Sequence, residues 1–196
     1  RYINTLMKTI IFDLDGTLVD CKELHQNGFR WAVEQQVPNA EFTDQEVEGM
    51  PTTDKIKYLQ NKGIPVTITI DELKKQHTRA HLNEYISFNK TLHSHFTRLY
   101  QKYNLCLASN SRSEFVFKCM NILDLWHFSC VFSRDYGPSK PDPWMYNECM
   151  KITKSSPRNT VIFEDSEIGI VGAKQTGARV ISVEDSKDLI EKLHEF

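Results

Sequence analysis

Five short apolar runs recur along the chain. Lys8–Asp13, Leu105–Ser109, Cys130–Ser133, Thr160–Glu164 and Arg179–Val183 are compact and largely apolar, the pattern of strands buried on both faces of a parallel sheet. Between and after the later runs, apolar residues recur at helical spacing. Helices are predicted over Thr91–Tyr103, Glu114–Ile122, Pro143–Thr153, Ile168–Thr176 and Ser186–His194, the fourth stopped by Gly177. Strands alternating with helices predict an α/β fold, a doubly wound parallel sheet covered on both faces.

One connection breaks this rhythm. From Asp20 to Gln36 a helix is expected, with Leu24, Gly28 or Phe29, and Trp31-Ala32 on one side and Pro38 as its stop. Thr43-Asp44-Gln45-Glu46 reads as a helix start with acids in its first turn. After the loop Gly49-Met50-Pro51-Thr52, a short helix begins at Thr53-Asp54 and ends near Gly63. Ile64–Thr69 is β-branched but follows Gly and Pro, so it fits strand or loop. Asp71–Ile86 is amphipathic, with Leu73, Ala80, Leu82 and Ile86 among Lys, Arg and Glu. This block is too long for an ordinary crossover. The expected organisation is therefore a Rossmann-like core of residues 1–20 and 91–196, with residues 21–90 inserted as a helical cap domain.

Composition narrows the function classes. With 196 residues, 40% of them hydrophobic, the chain suffices for one large domain or a core with a modest insertion. Its 24 basic and 26 acidic residues nearly cancel, so no whole-chain field favours nucleic acid or a membrane surface. No apolar run approaches the roughly 18 residues of a membrane span, and with no charged-then-apolar pattern before the first strand a secretory leader is not expected. Met7 stands as an alternative start, with Arg1–Leu6 then an extension. The five cysteines are odd in number and lack C-x-x-C spacing, which argues for reduced thiols in a cytoplasmic protein and against a zinc site.

Polar chemistry collects where the strands end. The first run stops in Asp13-Leu14-Asp15-Gly16-Thr17, two acids one residue apart at the strand terminus where open α/β sheets meet ligands. Taken alone this is also an ordinary acidic turn. The second run ends in Ser109-Asn110-Ser111-Arg112, whose hydroxyls and turn amides suit phosphate oxygens, or equally a helix cap. After the third comes Ser139-Lys140-Pro141-Asp142-Pro143, one lysine whose backbone is restricted by two prolines. The fourth ends in Glu164-Asp165-Ser166, an acid pair suited to Mg²⁺ or, more simply, to capping the next helix. A double acid, a hydroxyl cluster, a lysine and a second acid pair at successive strand ends could supply a nucleophile, phosphate ligands, a counter-charge and a metal site.

This ordered set, Asp13-x-Asp15-x-Thr17, Ser109, Lys140 and Glu164-Asp165, resembles the haloacid dehalogenase superfamily. The insertion after the first strand, and Gly169-Ile170 followed by Ala173 and Gly177, resemble its β-phosphoglucomutase-like phosphatases with a helical cap. The resemblance implies a Mg²⁺-dependent phosphatase acting on a small phosphorylated metabolite of the sugar phosphate or nucleotide class. Asp13 would form an aspartyl-phosphate, Asp15 would act as general acid and base, and Lys140 would neutralise charge. Thr17, Ser109, Asn110, Ser111 and Arg112 would bind or position the phosphate. Asp13, the main-chain oxygen of Asp15, Asp165 and Glu164 would hold Mg²⁺, the last directly or through another ligand.

From the cap, which would close over the site and choose the leaving group, His25 and Gly49 are candidate substrate contacts. Trp31 is better explained by core packing, and His77, His81, His93 and His95 as helix surface. Where related mutases carry basic residues for a second phosphate, Glu48 and Thr52 stand here, which weighs against β-phosphoglucomutase chemistry. The other alternative is a non-catalytic phospholigand-binding module on the same fold. A monomer or weak homodimer is expected, with neither nucleic acid nor membrane as partner.

Overall fold

The computed structural model describes residues 8–47 and 50–196. Along the chain, β1 (Thr9–Phe12) is followed by α1 (Lys22–Gln36), α2 (Asp44–Val47), α3 (Thr52–Asn61) and α4 (Ile70–Tyr85). Then come α5 (Lys90–Tyr100), β2 (Asn104–Ser109), α6 (Ser113–Leu123), β3 (Phe128–Ser133) and α7 (Trp144–Ile152). The chain closes with β4 (Thr160–Glu164), α8 (Glu167–Gln175), β5 (Arg179–Ser182) and α9 (Ser186–Lys192). Two compact units result, one of the chain up to Asp20 with Ile86–Phe196, the other of Cys21–Tyr85. Ile86–Lys90, which the sequence reading assigns to the insertion, group with the first unit, where Asn89 caps α5 by accepting from the Leu92 amide at 3.0 Å. Among the described residues, no helix is long and apolar enough to cross a membrane.

The first unit is built on one parallel sheet in the order β3-β2-β1-β4-β5. Its two-residue periodicity sorts the core into two faces. Ile11 is level with Cys106 and Ile162, and this row packs on Met145, Tyr146 and Cys149 of α7. The next row, Phe12 with Leu107 and Phe163, points the other way. There the Phe12 ring lies 5.4 Å from Phe163 and 4.9 Å from Phe96 of α5. Burying each such side chain contributes roughly 1.5–3 kcal/mol, which is why these apolar runs must be central strands.

Two boundaries differ from the sequence reading for visible reasons. β3 begins at Phe128 rather than Cys130, because Phe128 pairs with Leu105 across a bulge and its ring packs 5.5 Å from Phe96. α5 ends at Tyr100 rather than Tyr103, because the amides of Lys102 and Tyr103 both turn onto the Leu99 carbonyl.

In the second unit, α1, α3 and α4 bury Phe29, Ala32, Val33, Ile56, Leu59 and Ile70 with Val47 of α2 and with Phe42, Ile64 and Val66 from the connections. Gly28 permits the close approach of α1 and α4, since a Cβ there would stand 3.2 Å from the Thr78 hydroxyl. Ile64–Thr69 forms no strand. Its polar backbone is met instead by side chains, the Thr67 amide donating to Gln36 at 2.8 Å. Trp31 packs against this core beside His77, as expected.

Candidate active site

β1 is the middle strand: the chain adds β2 and β3 outward on one side, then crosses back to add β4 and β5 on the other, and the strand order reverses beside β1, the crevice where open α/β sheets bind ligands. The Asp13 amide donates to the Phe163 carbonyl at 3.0 Å, which fixes Asp13 one step beyond the last paired residue and beside Glu164. The chain then coils tightly. The Leu14 carbonyl accepts from the amides of Thr17, Leu18 and Val19, and the Gly16 amide donates to the Val19 carbonyl at 2.6 Å. Gly16 sits at φ +91°, and a Cβ there would overlap the Asp165 carboxylate. Gly16→Ala should therefore cost at least about 1 kcal/mol from the backbone alone, with further loss from displacing Asp165. A thermal melt with and without Mg²⁺ checks this, the mutant melting lower in both.

Lys140 is the electrostatic centre. Its ammonium donates to Asp13 at 2.5 Å and also to Glu164, and all three side chains are buried. Burial opposes the lysine charge, but the two carboxylates outweigh it and hold the ammonium above its ordinary range. The loop carrying Lys140 is clamped from two sides. Asn110 accepts from the Lys140 amide at 2.8 Å and donates to its carbonyl at 3.2 Å. From α8, Gln175 donates to the Pro141 carbonyl at 2.8 Å, and Gly172 lies so close that a Cβ would stand 2.9 Å from that oxygen. Lys140 is thus no solvated loop residue.

Glu164 is fully buried and takes a second donor, the Tyr146 hydroxyl, at 2.6 Å. Sequence reasoning missed Tyr146. Its only signal was a tyrosine on a helix face otherwise apolar, Met145 and Cys149 beside it. Removing the hydroxyl in Tyr146→Phe takes a hydrogen bond from a buried carboxylate, worth about 1.5–3 kcal/mol. The expected result is a matching drop in unfolding free energy by urea titration.

The acid pair ending β4 divides its work. Ser166, not Asp165, caps α8, accepting from the Gly169 amide at 3.1 Å. Among the described residues, Asp165 Oδ1 is buried with no hydrogen-bond partner, as is the Thr17 hydroxyl. Carboxylate oxygens of Asp13, Glu164 and Asp165 lie within 4.8 Å of one another. Burial first, and then the Glu164 charge, push Asp13 well above the carboxylate range despite Lys140. The same two causes push Asp165 up to about 6, with Asp15 adding to the repulsion. Fully ionised, three carboxylates against one ammonium would carry an excess of two negative charges, which one divalent cation would balance; without it, mutual repulsion and burial favour protonation instead. An all-oxygen, anionic donor set with an orphaned carboxylate oxygen fits Mg²⁺, a hard ion. The residues present fit that ion.

Of the residues expected at this site, Asp13, Lys140, Glu164 and Asp165 are brought together, Asp15 and Thr17 follow on the β1 turn, and Ser109 ends the neighbouring strand, buried. Others are placed differently. The Asn110 side chain is engaged with the Lys140 backbone, so it positions the lysine. The Ser111 amide donates to the Ser109 hydroxyl at 3.0 Å, and the exposed Arg112 pairs with Asp135 at 3.4 Å. His25 lies on α1 in the second unit. Gly49 and Glu48 lie outside the described residues. Among the described residues, the histidines form no single group. His77 and His81 are neighbours on α4, and His95 is buried against His194 rather than on the helix surface, because it shares the face of α5 that carries Leu92, Phe96 and Leu99.

Comparison with known proteins bears out the family that the strand-end motifs resemble. The family profile of the haloacid dehalogenase-like hydrolases matches residues 10–183. A phosphorylated carbohydrates phosphatase of Thermotoga maritima is 26% identical over 94% of this chain and 91% of its own. The β-phosphoglucomutase of Bacillus subtilis is 23% identical over 94% of this chain and 86% of its own. Among solved structures, a haloacid dehalogenase hydrolase of Entamoeba histolytica superposes with a TM-score of 0.77 at 21% identity, covering 90% of this chain and 84% of that one, a likeness of fold.

Proposed function

The chain belongs to the haloacid dehalogenase-like hydrolases, and on that premise we propose that it is a Mg²⁺-dependent phosphatase hydrolysing small phosphate monoesters through an aspartyl-phosphate on Asp13. The observation that carries this reading is the meeting of Asp13 with Lys140, Glu164 and Asp165 at the ends of two central strands. A relative named as a phosphatase of phosphorylated carbohydrates supports the substrate class of sugar phosphates.

Phosphate monoesters resist anionic attack because their own oxygens repel it, so neutralising charge and positioning do most of the catalytic work. Mg²⁺, held by Asp13, Asp165, Glu164 and the Asp15 main-chain oxygen, would supply positive charge to the phosphoryl oxygens. Lys140 adds a fixed positive charge beside Asp13 and offsets part of the burial that favours its protonation, and a divalent cation on the same carboxylate would add to that effect. Asp13 attacks phosphorus in line, which divides one hard displacement into two easier ones. Asp15, two residues on and less buried, donates a proton to the leaving alkoxide and then takes one from the hydrolytic water. Thr17 and Ser109 offer hydroxyls to the phosphoryl oxygens.

The test is a panel of sugar phosphates, nucleoside monophosphates and other small esters, scored by released inorganic phosphate with Mg²⁺ and with chelator. Release that requires Mg²⁺, together with a hydroxylamine-sensitive phosphoprotein on rapid acid quench, is expected. Phosphate that stays on the sugar would instead favour a phosphomutase, the reading that the Bacillus subtilis relative keeps in view. Binding without turnover across the whole panel would overturn both enzymatic readings.

A further inference from the structure

Cys106, Cys130 and Cys149 are distant in sequence and converge in the core of the first unit. Cys106 on β2 and Cys130 on β3 are register partners, so both side chains leave the same face of the sheet. Cys149 lies on α7, which packs on that face. The three sulfurs all lie within 4.8 Å of one another, and those of Cys106 and Cys130 are 3.4 Å apart. Thiolates each about 2.3 Å from one ion at tetrahedral angles would stand roughly 3.8 Å apart. The Cys106–Cys130 separation is slightly shorter than that value, and the 4.8 Å limit on the others leaves room for it.

Buried cysteines usually pack as small hydrophobes. Packing alone has no need to bring three thiols from three elements to one point. Cys119 is the contrast, buried at 0% exposure in the same unit but outside this group. We propose that Cys106, Cys130 and Cys149 form a binding site for one thiophilic divalent cation of the zinc class, separate from the carboxylate cluster. Three thiolates around a divalent ion leave one net negative charge, whereas a monovalent ion leaves two. In an apolar core the smaller excess charge costs less desolvation. Cys106 and Cys149 are fully buried while Cys130 is half-buried, so the Cys130 side gives a fourth ligand, water, its approach. As each sulfur–metal bond forms, the thiol gives its proton to water and no electron is transferred. Ligand hardness keeps the two sites apart, because Mg²⁺ selects oxygen and zinc-class ions select sulfur.

The experiment titrates the intact, reduced chain with Cd²⁺ in excess Mg²⁺, without oxygen, and reads thiolate-to-cadmium charge-transfer absorption in the ultraviolet. That absorption is blind to cadmium on carboxylates, so failure of the phosphatase reading would not affect it. It should rise linearly and saturate at one Cd²⁺ per chain, and prior addition of Zn²⁺ should suppress it. Cys130→Ala and Cys149→Ala should each weaken binding at least about tenfold, while Cys119→Ala leaves it unchanged. Circular dichroism accompanies every titration, and Cys130→Ala, on the more exposed side, decides the matter if Cys149→Ala does not fold. No absorption at one equivalent in the folded protein would overturn the proposal. So would absorption that survives intact in Cys130→Ala, or that falls equally in Cys119→Ala.

Discussion

Asp13→Asn is expected to remove phosphate-ester turnover by on the order of 10⁴-fold or more, as loss of a covalent nucleophile does elsewhere. The fold should survive. The amide keeps nearly the same shape, Lys140 retains Glu164 as its partner, and a carboxylate crowded by Glu164 and Asp165 becomes neutral. Thermal stability without Mg²⁺ should therefore equal or exceed that of the parent protein. Purified mutant assayed for phosphate release, alongside a melting curve, gives both answers. Native-rate turnover in a folded Asp13→Asn protein would exclude the covalent route.

Lys140→Met should be the most damaging single change, to stability as well as activity. Lys140 is the cation facing Asp13 and Glu164, both buried, and methionine leaves those charges uncompensated. Removing one partner from a buried ionic group costs about 3–5 kcal/mol, compared with at most about 1 kcal/mol for an exposed pair such as Lys57 with Asp54.

The deficit should depend on pH, with a definite sign. In the native protein burial already raises Asp13, and losing the ammonium raises it further. A carboxyl whose folded pKa lies above its unfolded one favours the folded state at low pH and opposes it as pH rises through the folded value. The mutant should thus lose most stability at neutral pH and recover toward the parent as acid protonates the cluster. Urea unfolding at several pH values measures this, and a pH-independent deficit would show that lost packing, not lost charge, is responsible.

Much of the candidate site was legible because it is local in the chain. Asp13 and Asp15 announce themselves by following an apolar run, and Glu164-Asp165 by ending another. Lys140 was legible only as one lysine between prolines; its burial was not, since nothing local reveals two carboxylates waiting for it. Asn110 shows the reverse. Beside Ser109 it reads as a residue that binds or positions phosphate, and nothing local reveals that its amide spans 30 residues to hold the Lys140 backbone. Tyr146 escaped notice because a hydroxyl that serves a distant carboxylate has no sequence signature.

The sequence by itself determined the alternation of strands and helices, the long helical interruption and the strand-end position of the acids. These follow from side-chain periodicity and chain connectivity, which a linear pattern carries in full. Only the tertiary structure decided which distant groups share one space. Lys140 lies between two carboxylates, Tyr146 beneath Glu164, and three cysteines with no motif spacing converge on one point. Those contacts arise from strand register and from the seating of α7 on the sheet. Both depend on how every apolar face is buried together, so no single stretch of the chain encodes them.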